Sequence, residues 1–212
     1  MLHIVYGGSA SGKSSYAEGL AVSMREGGRL LYIATMYPYK WNTTEIDSET
    51  MQRIERHRAM RADKGFDTVE CYRHVEHIMA KRQDVLLLEC MSNLLANEMY
   101  LEPDADDGRP ETMSEVEKTG IGGNASSDMA ETMSPVSKKI VQALVDLSTR
   151  VQDVVIVTND VFSDGGSLTY DESTREYVKN LAEINCALAR EAATVTEIVC
   201  GIPVKIKGDK QP

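Results

Sequence analysis

The residues with the clearest chemical purpose form the run Gly7-Gly8-Ser9-Ala10-Ser11-Gly12-Lys13-Ser14. It satisfies G-x-x-x-x-G-K-[ST] in full, between an apolar strand-like stretch and a helical one. Glycines at these places let the backbone curl so that successive amide N–H groups converge on phosphate oxygens. A helix opening beyond them adds the positive end of its dipole. Lys13 is then placed to reach the β- and γ-phosphates, and the Ser14 hydroxyl to ligate Mg²⁺. Such a loop needs an acid at the end of a buried strand. Val85-Leu86-Leu87-Leu88-Glu89 offers one in Glu89, a second candidate Mg²⁺ ligand. A third cluster lies in Arg53-Ile54-Glu55-Arg56-His57-Arg58-Ala59-Met60-Arg61. Arg53, His57 and Arg61 are spaced i, i+4, i+8 and share one helical face. Arginines hold phosphate oxygens with fork geometry and disfavour protonation of an imidazole among them, which leaves it nucleophilic. The same spacing fits a basic solvated helix face equally well.

The elements that must carry these residues alternate. Leu2–Tyr6, Leu30–Ala34, Val85–Leu88 and Val154–Thr158 read as strands, with short terminal strands at Glu197–Val199 and Val204–Lys207. Ser14–Arg25, Glu49–Ala62, Lys138–Leu147 and Arg175–Ala193 read as helices, their apolar residues recurring every three or four positions. Apolar runs such as Val85–Leu88 suit strands buried on both faces of a parallel sheet. Alternation of this kind predicts an α/β fold with a mostly parallel, helix-flanked sheet of P-loop, RecA-like type. With 212 residues the chain suits one catalytic domain, 1–212.

Residues 102–135 interrupt the pattern. They lack periodicity and hold nine carboxylates against Arg109 and Lys118, a net of −7 out of the chain's −10. Glu111–Lys118 recurs as Glu131–Lys138 with six of eight positions identical. An acidic, flexible surface insertion is expected here, a functional lid being the sharper alternative. The remaining chain carries only −3, so the acidity belongs mainly to the insertion. The charge balance argues against a nucleic-acid partner but not against a local triphosphate site built from Lys13, Arg53, Arg58 and Arg61.

The other candidates are weaker. His3 suits a satisfied position in the first strand, and His74 and His77 fall in a helical stretch with no special company. Cys71, Cys90, Cys186 and Cys200 form no CxxC pair and read as reduced thiols. No apolar run approaches a membrane span of ~18 residues, and the N-terminus has no basic leader pattern; a cytoplasmic protein is expected.

Taken in order, these motifs resemble the bifunctional adenosylcobinamide kinase / adenosylcobinamide-phosphate guanylyltransferases of cobalamin biosynthesis. The resemblance rests on the phosphate loop at 7–14, Leu31-Tyr32-Ile33-Ala34-Thr35, Arg53-Ile54-x-x-His57, Glu70-Cys71-Tyr72-Arg73-His74 and Leu87-Leu88-Glu89-Cys90. It continues through Val157-Thr158-Asn159-Asp160-Val161, Tyr177 with Asn185, and Gly201-Ile202-Pro203-Val204-Lys205-Ile206-Lys207. Arg56 stands where a second histidine can occur in that family, and Asp160 where a glutamate is usual. The resemblance implies phosphorylation of adenosylcobinamide by ATP or GTP, then GMP transfer from GTP through a GMP-histidine at His57. It assigns guanine-nucleotide contacts to the phosphate loop, Thr35, Met36 and Tyr37, Arg58, Ala59, Met60 and Arg61, Glu70 and Glu89. It also implies a homotrimer. A chain retaining one of the two activities, or a non-catalytic nucleotide-binding module, is the alternative.

Overall fold

The computed structural model describes residues 1–41, 43–102, 133–161 and 170–208. Seven strands form one sheet: β1 (Leu2–Gly7), β2 (Leu30–Ala34), β3 (Phe66–Glu70), β4 (Val85–Glu89), β5 (Asp153–Asn159), β6 (Thr194–Val199) and β7 (Ile202–Lys207). Their spatial order is β3-β2-β4-β5-β1-β6-β7. All neighbours run parallel except β7, which returns antiparallel on β6. Among the described residues five α-helices flank the sheet: α1 (Lys13–Met24), α2 (Ser48–Arg61), α3 (Met91–Tyr100), α4 (Pro135–Arg150) and α5 (Glu172–Glu191). The mostly parallel, helix-flanked α/β sheet expected from the sequence is the one observed. β5 lies between the strand that feeds the phosphate loop and the strand that ends in Glu89.

The side-chain period of two divides each buried strand between two apolar layers. Leu86 and Leu88 of β4 face Leu94 of α3, Leu144 of α4 and Ile184 of α5. Val85 and Leu87 of the same strand face Ala17 and Ala21 of α1. Alanines there let the helix behind the phosphate loop lie close on the sheet. This is why the central strands read as unbroken apolar runs.

Two elements carried too little signal to be read from sequence. β3 is an edge strand of mostly exposed or half-buried residues, so Phe66-Asp67-Thr68-Val69-Glu70 shows no apolar run. α3 follows β4 almost without a loop, so the apolar pattern continues across the boundary. Boundaries also move. β6 and β7 begin earlier than expected, and α4 begins at Pro135, inside the range assigned to the insertion. Ser134 caps that helix, its hydroxyl accepting from the Ser137 amide at 3.2 Å. The rest of the 102–135 expectation, apart from Glu102 and Met133, lies outside the described residues.

The histidines off the site divide. His3 is buried and bonded to Thr194 and Asp153, as a satisfied core residue should be. His74 corrects the expectation of no special company. It opens a three-residue turn, its ring stacks on His77, and Lys139 Nζ approaches its Nδ1 at 3.1 Å. Among the described residues no helix is long and apolar enough to cross a membrane.

Candidate active site

The phosphate loop is shaped from both sides. Gly7 closes β1 against β6, where an added Cβ would stand 2.7 Å from the Ile198 carbonyl and 2.8 Å from Ser11 Oγ. Gly12 adopts φ 93°, the left-handed turn into α1, which few side chains tolerate. The Gly201 amide, in the turn between β6 and β7, donates to the Ser11 carbonyl at 2.9 Å and braces the loop. Lys13 is nearly buried and folds back to donate to the Gly8 carbonyl at 3.0 Å. No side chain caps α1, so its opening amides remain available to an anion. Ser11 Oγ is buried without a hydrogen-bond partner.

The acid arrives from β4. Ser14 Oγ, on the first turn of α1, donates to Glu89 Oε1. Glu89 Oε2 is buried and unpartnered. Burial pushes this carboxyl up to about 7, against the pull of the Ser14 hydrogen bond, Lys13 and Arg61 and with the help of Glu18. A hydroxyl and a carboxylate, with one carboxylate oxygen orphaned, form an all-oxygen donor set suited to a hard divalent cation such as Mg²⁺. Thr35 lies beneath this pair, fully buried. Its hydroxyl accepts from the Cys90 amide at 2.7 Å and donates to the Cys90 carbonyl at 2.9 Å. It fixes the backbone that follows Glu89.

The third wall is α2, capped by Asp47, which accepts from the Glu49 amide at 3.0 Å. Arg61 is its one buried residue. The Arg61 guanidinium carbon stands 3.7 Å over the Tyr32 ring, and Nη2 donates to Thr68 Oγ1 at 3.3 Å. Arg58 pairs with Glu70 at 2.5 Å, and Glu70 also accepts from the Tyr72 hydroxyl at 2.9 Å. These contacts pin the C-terminal end of α2 to β2 and β3, and His57 lines the same cleft as the phosphate loop. His57 Nδ1 is buried without a partner. Burial holds the imidazole below its ordinary value, with Arg56, Arg61 and Arg53 acting in the same direction and Glu18 opposing them.

These groups border one cleft of about 700 Å³. Ser9 to Ser14 form its floor, Glu89 its end, and His57, Arg58, Met60 and Arg61 one side, with Arg53, Met36 and Glu70 at its margins. Gly7, Gly8, Thr35, Tyr37 and Ala59 do not border it. Thr35 holds the backbone from below. Tyr37 lies in an aromatic group with Tyr39 and Tyr72, its ring 5.3 and 5.4 Å from theirs. Sequence reasoning missed Tyr32, Ser92 and Asn159, which also line the cleft. Asn159 Nδ2 donates to Ser92 Oγ at 2.5 Å, joining the end of β5 to the first turn of α3. For Ser92 and Asn159 the one signal was position at or just beyond a strand's C-terminal end, where ligands of parallel sheets bind, whereas Tyr32 in the middle of β2 carried none.

Two proteins named bifunctional adenosylcobalamin biosynthesis protein CobU align end to end with the chain. That of Escherichia coli is 29% identical and that of Salmonella typhimurium 28%, each over 98% of this chain and 100% of the relative. Among solved structures, the flagellar accessory protein FlaH of Methanocaldococcus jannaschii superposes with a TM-score of 0.41 at 15% identity, over 99% of this chain and 81% of that one. The phosphate loop, the arginine-flanked histidine and the strand-end acid meet in one cleft, and residues 3–206 match a single family along nearly the whole chain; the chain belongs to the cobinamide kinase / cobinamide phosphate guanyltransferase family.

Proposed function

We propose that this one cleft carries out both transfers of the family, with His57 as the carrier of GMP. The chain is an enzyme of cobalamin biosynthesis with kinase and guanylyltransferase activities. In the kinase step the loop amides and Lys13 hold the phosphates of ATP or GTP. The hydroxyl of the adenosylcobinamide side arm attacks the γ-phosphorus in line, and the nucleoside diphosphate leaves. Ser14 and Glu89 would hold Mg²⁺, which supplies charge neutralisation on the phosphate oxygens.

In the second step an imidazole nitrogen of His57 attacks the α-phosphorus of GTP. A P–N bond forms and pyrophosphate leaves. A phosphate oxygen of adenosylcobinamide phosphate then attacks the same phosphorus, and the P–N electron pair returns to the ring nitrogen. The product is adenosylcobinamide-GDP. Splitting the transfer in two makes each step a simple in-line displacement. Lys13, Arg58 and Arg61 offset charge on the transferred group and on pyrophosphate. The carrying observation is an imidazole kept neutral by burial and by arginines in the same cleft as the phosphate loop. Incubation with α-labelled GTP and Mg²⁺ should leave an acid-labile, base-stable label that His57→Ala abolishes. An unlabelled wild-type protein would sink the covalent route.

A homotrimer belongs to the same proposal, with a cytoplasmic place of action where nucleotide and corrinoid meet. Edge strand β7 supports association: Ile202 and Ile206 are 65% and 62% exposed and alternate with lysines. Apolar edges of this kind are usually covered by a partner. Light scattering of the free enzyme tests it, and a monomer mass would refute it.

A further inference from the structure

The loop between β2 and α2 is folded rather than slack. The Lys40 amide donates to the Glu45 carbonyl at 2.7 Å, the Asp47 amide to the Pro38 carbonyl at 2.9 Å, and Tyr39 pairs with Ile46 across the two arms. The loop carries Trp41, whose ring sits 6.4 Å from Tyr37 and 6.3 Å from Tyr100 at the end of α3. Tyr39 and Ile46 face the cleft. Two exposed apolar side chains line the cleft, Ile46 at 57% exposed and Met60 of α2 at 48%, and Trp41, 46% exposed, stands on the same loop as Ile46 outside that lining. Single exposed apolar residues need no explanation, but a braced group of them beside a reaction cleft is a binding surface.

What it binds follows from size and position. A cleft of about 700 Å³ suits one drug-sized ligand, which the nucleotide already is. The acceptor's reacting oxygen must enter the cleft, while its macrocycle cannot. The macrocycle therefore lies over the mouth, where the methyl-bearing periphery of the ring meets apolar and aromatic side chains. We infer that the rim formed by Tyr39, Trp41 and Ile46 seats the corrin ring of the acceptor. This inference rests on the two-transfer reading for the direction in which the acceptor enters. It adds the residues that select a macrocycle over a smaller alcohol.

The test is equilibrium dialysis of cobinamide, followed by its visible absorbance, against wild type, Trp41→Ala, Ile46→Ser and Trp41→Phe. GMP labelling by GTP alone is measured on each protein in parallel. The first two variants should weaken cobinamide binding at least fivefold, Trp41→Ala with labelling unchanged and Ile46→Ser with a smaller loss of labelling than of affinity, while Trp41→Phe keeps most of the affinity. Unchanged cobinamide affinity would overturn the inference. So would equal losses of affinity and labelling, which would make the loop a support for the nucleotide site. A change of assembly mass in Trp41→Ala without a change in cobinamide affinity would also overturn it, by assigning the rim to a subunit contact. Absence of labelling in the wild type would count against the two-transfer reading alone, because dialysis reads the rim without catalysis.

Discussion

Ser14 and Glu89, seventy-five residues apart in sequence, share a hydrogen bond across the mouth of the sheet. One opens the helix behind the phosphate loop and the other closes a strand two places away from the strand that feeds it. Their meeting sets a hydroxyl and a carboxylate, the two proposed cation ligands, beside the loop.

Glu89 makes the first prediction. Its carboxyl is raised from 4.5 to about 7 by burial, so the folded chain favours the protonated form. With the metal removed by a chelator, this contribution is fully present below the ordinary carboxylate value and is lost as pH rises through about 7. The shift corresponds to roughly 3 kcal/mol. Glu89→Gln should therefore melt higher than wild type at about pH 8 in chelator. It should lose Mg²⁺-dependent stabilisation and at least ~100-fold of the kinase rate. A lower Tm in chelator at that pH would refute the assignment.

For His57 the sign is the opposite. Burial and the neighbouring arginines disfavour the charged ring, so the nucleophile stays neutral to lower pH than a free imidazole. The pH profile of GMP labelling should fall off with a midpoint below 6.5. Arg56→Ala should move that midpoint upward only in part, since burial is the larger cause. A wild-type midpoint at or above the ordinary imidazole value would contradict this environment.

Arg61 should not tolerate lysine. Its planar guanidinium stacks on Tyr32 and reaches Thr68 at once, a geometry an ammonium cannot reproduce. Arg61→Lys should cost about 2 kcal/mol, a fall in Tm of about 4–8 °C. GMP labelling should slow by ~10-fold or more as the His57 helix loses its anchor. Tyr32→Phe keeps the ring and should be close to neutral in both assays.

Ser134 tests the corrected boundary of the insertion. Its hydroxyl caps α4, and its amide donates to Glu183 Oε2 at 3.0 Å. Ser134→Ala should destabilise the fold by about 1 kcal/mol, seen as a Tm lower by a few degrees, with both activities retained. An unchanged Tm would place residue 134 in the insertion after all.

Much of the site was legible because phosphate chemistry is local. The residues of the phosphate loop are consecutive in sequence, and the strand before and helix after announced themselves by periodicity. The arginine–histidine face was legible as a face but ambiguous in purpose. Thr35, which the resemblance places at the nucleotide, has its hydroxyl engaged by Cys90 as both donor and acceptor, a partnership no local spacing records. β3 escaped because an edge strand need not be apolar, and α3 because no loop separates its pattern from that of β4.

By itself the sequence determined the phosphate loop, the buried parallel strands and the family, because each is written in short-range spacing or continuous pattern. Only the tertiary structure decided that Glu89 meets Ser14, that His57 lines the same cleft as the loop, and that Tyr39 and Ile46 border it too. Those pairings depend on strand order and on the anchoring of α2 by Arg61 over Tyr32. Strand order is set by which apolar faces bury together, a long-range competition that no local spacing records.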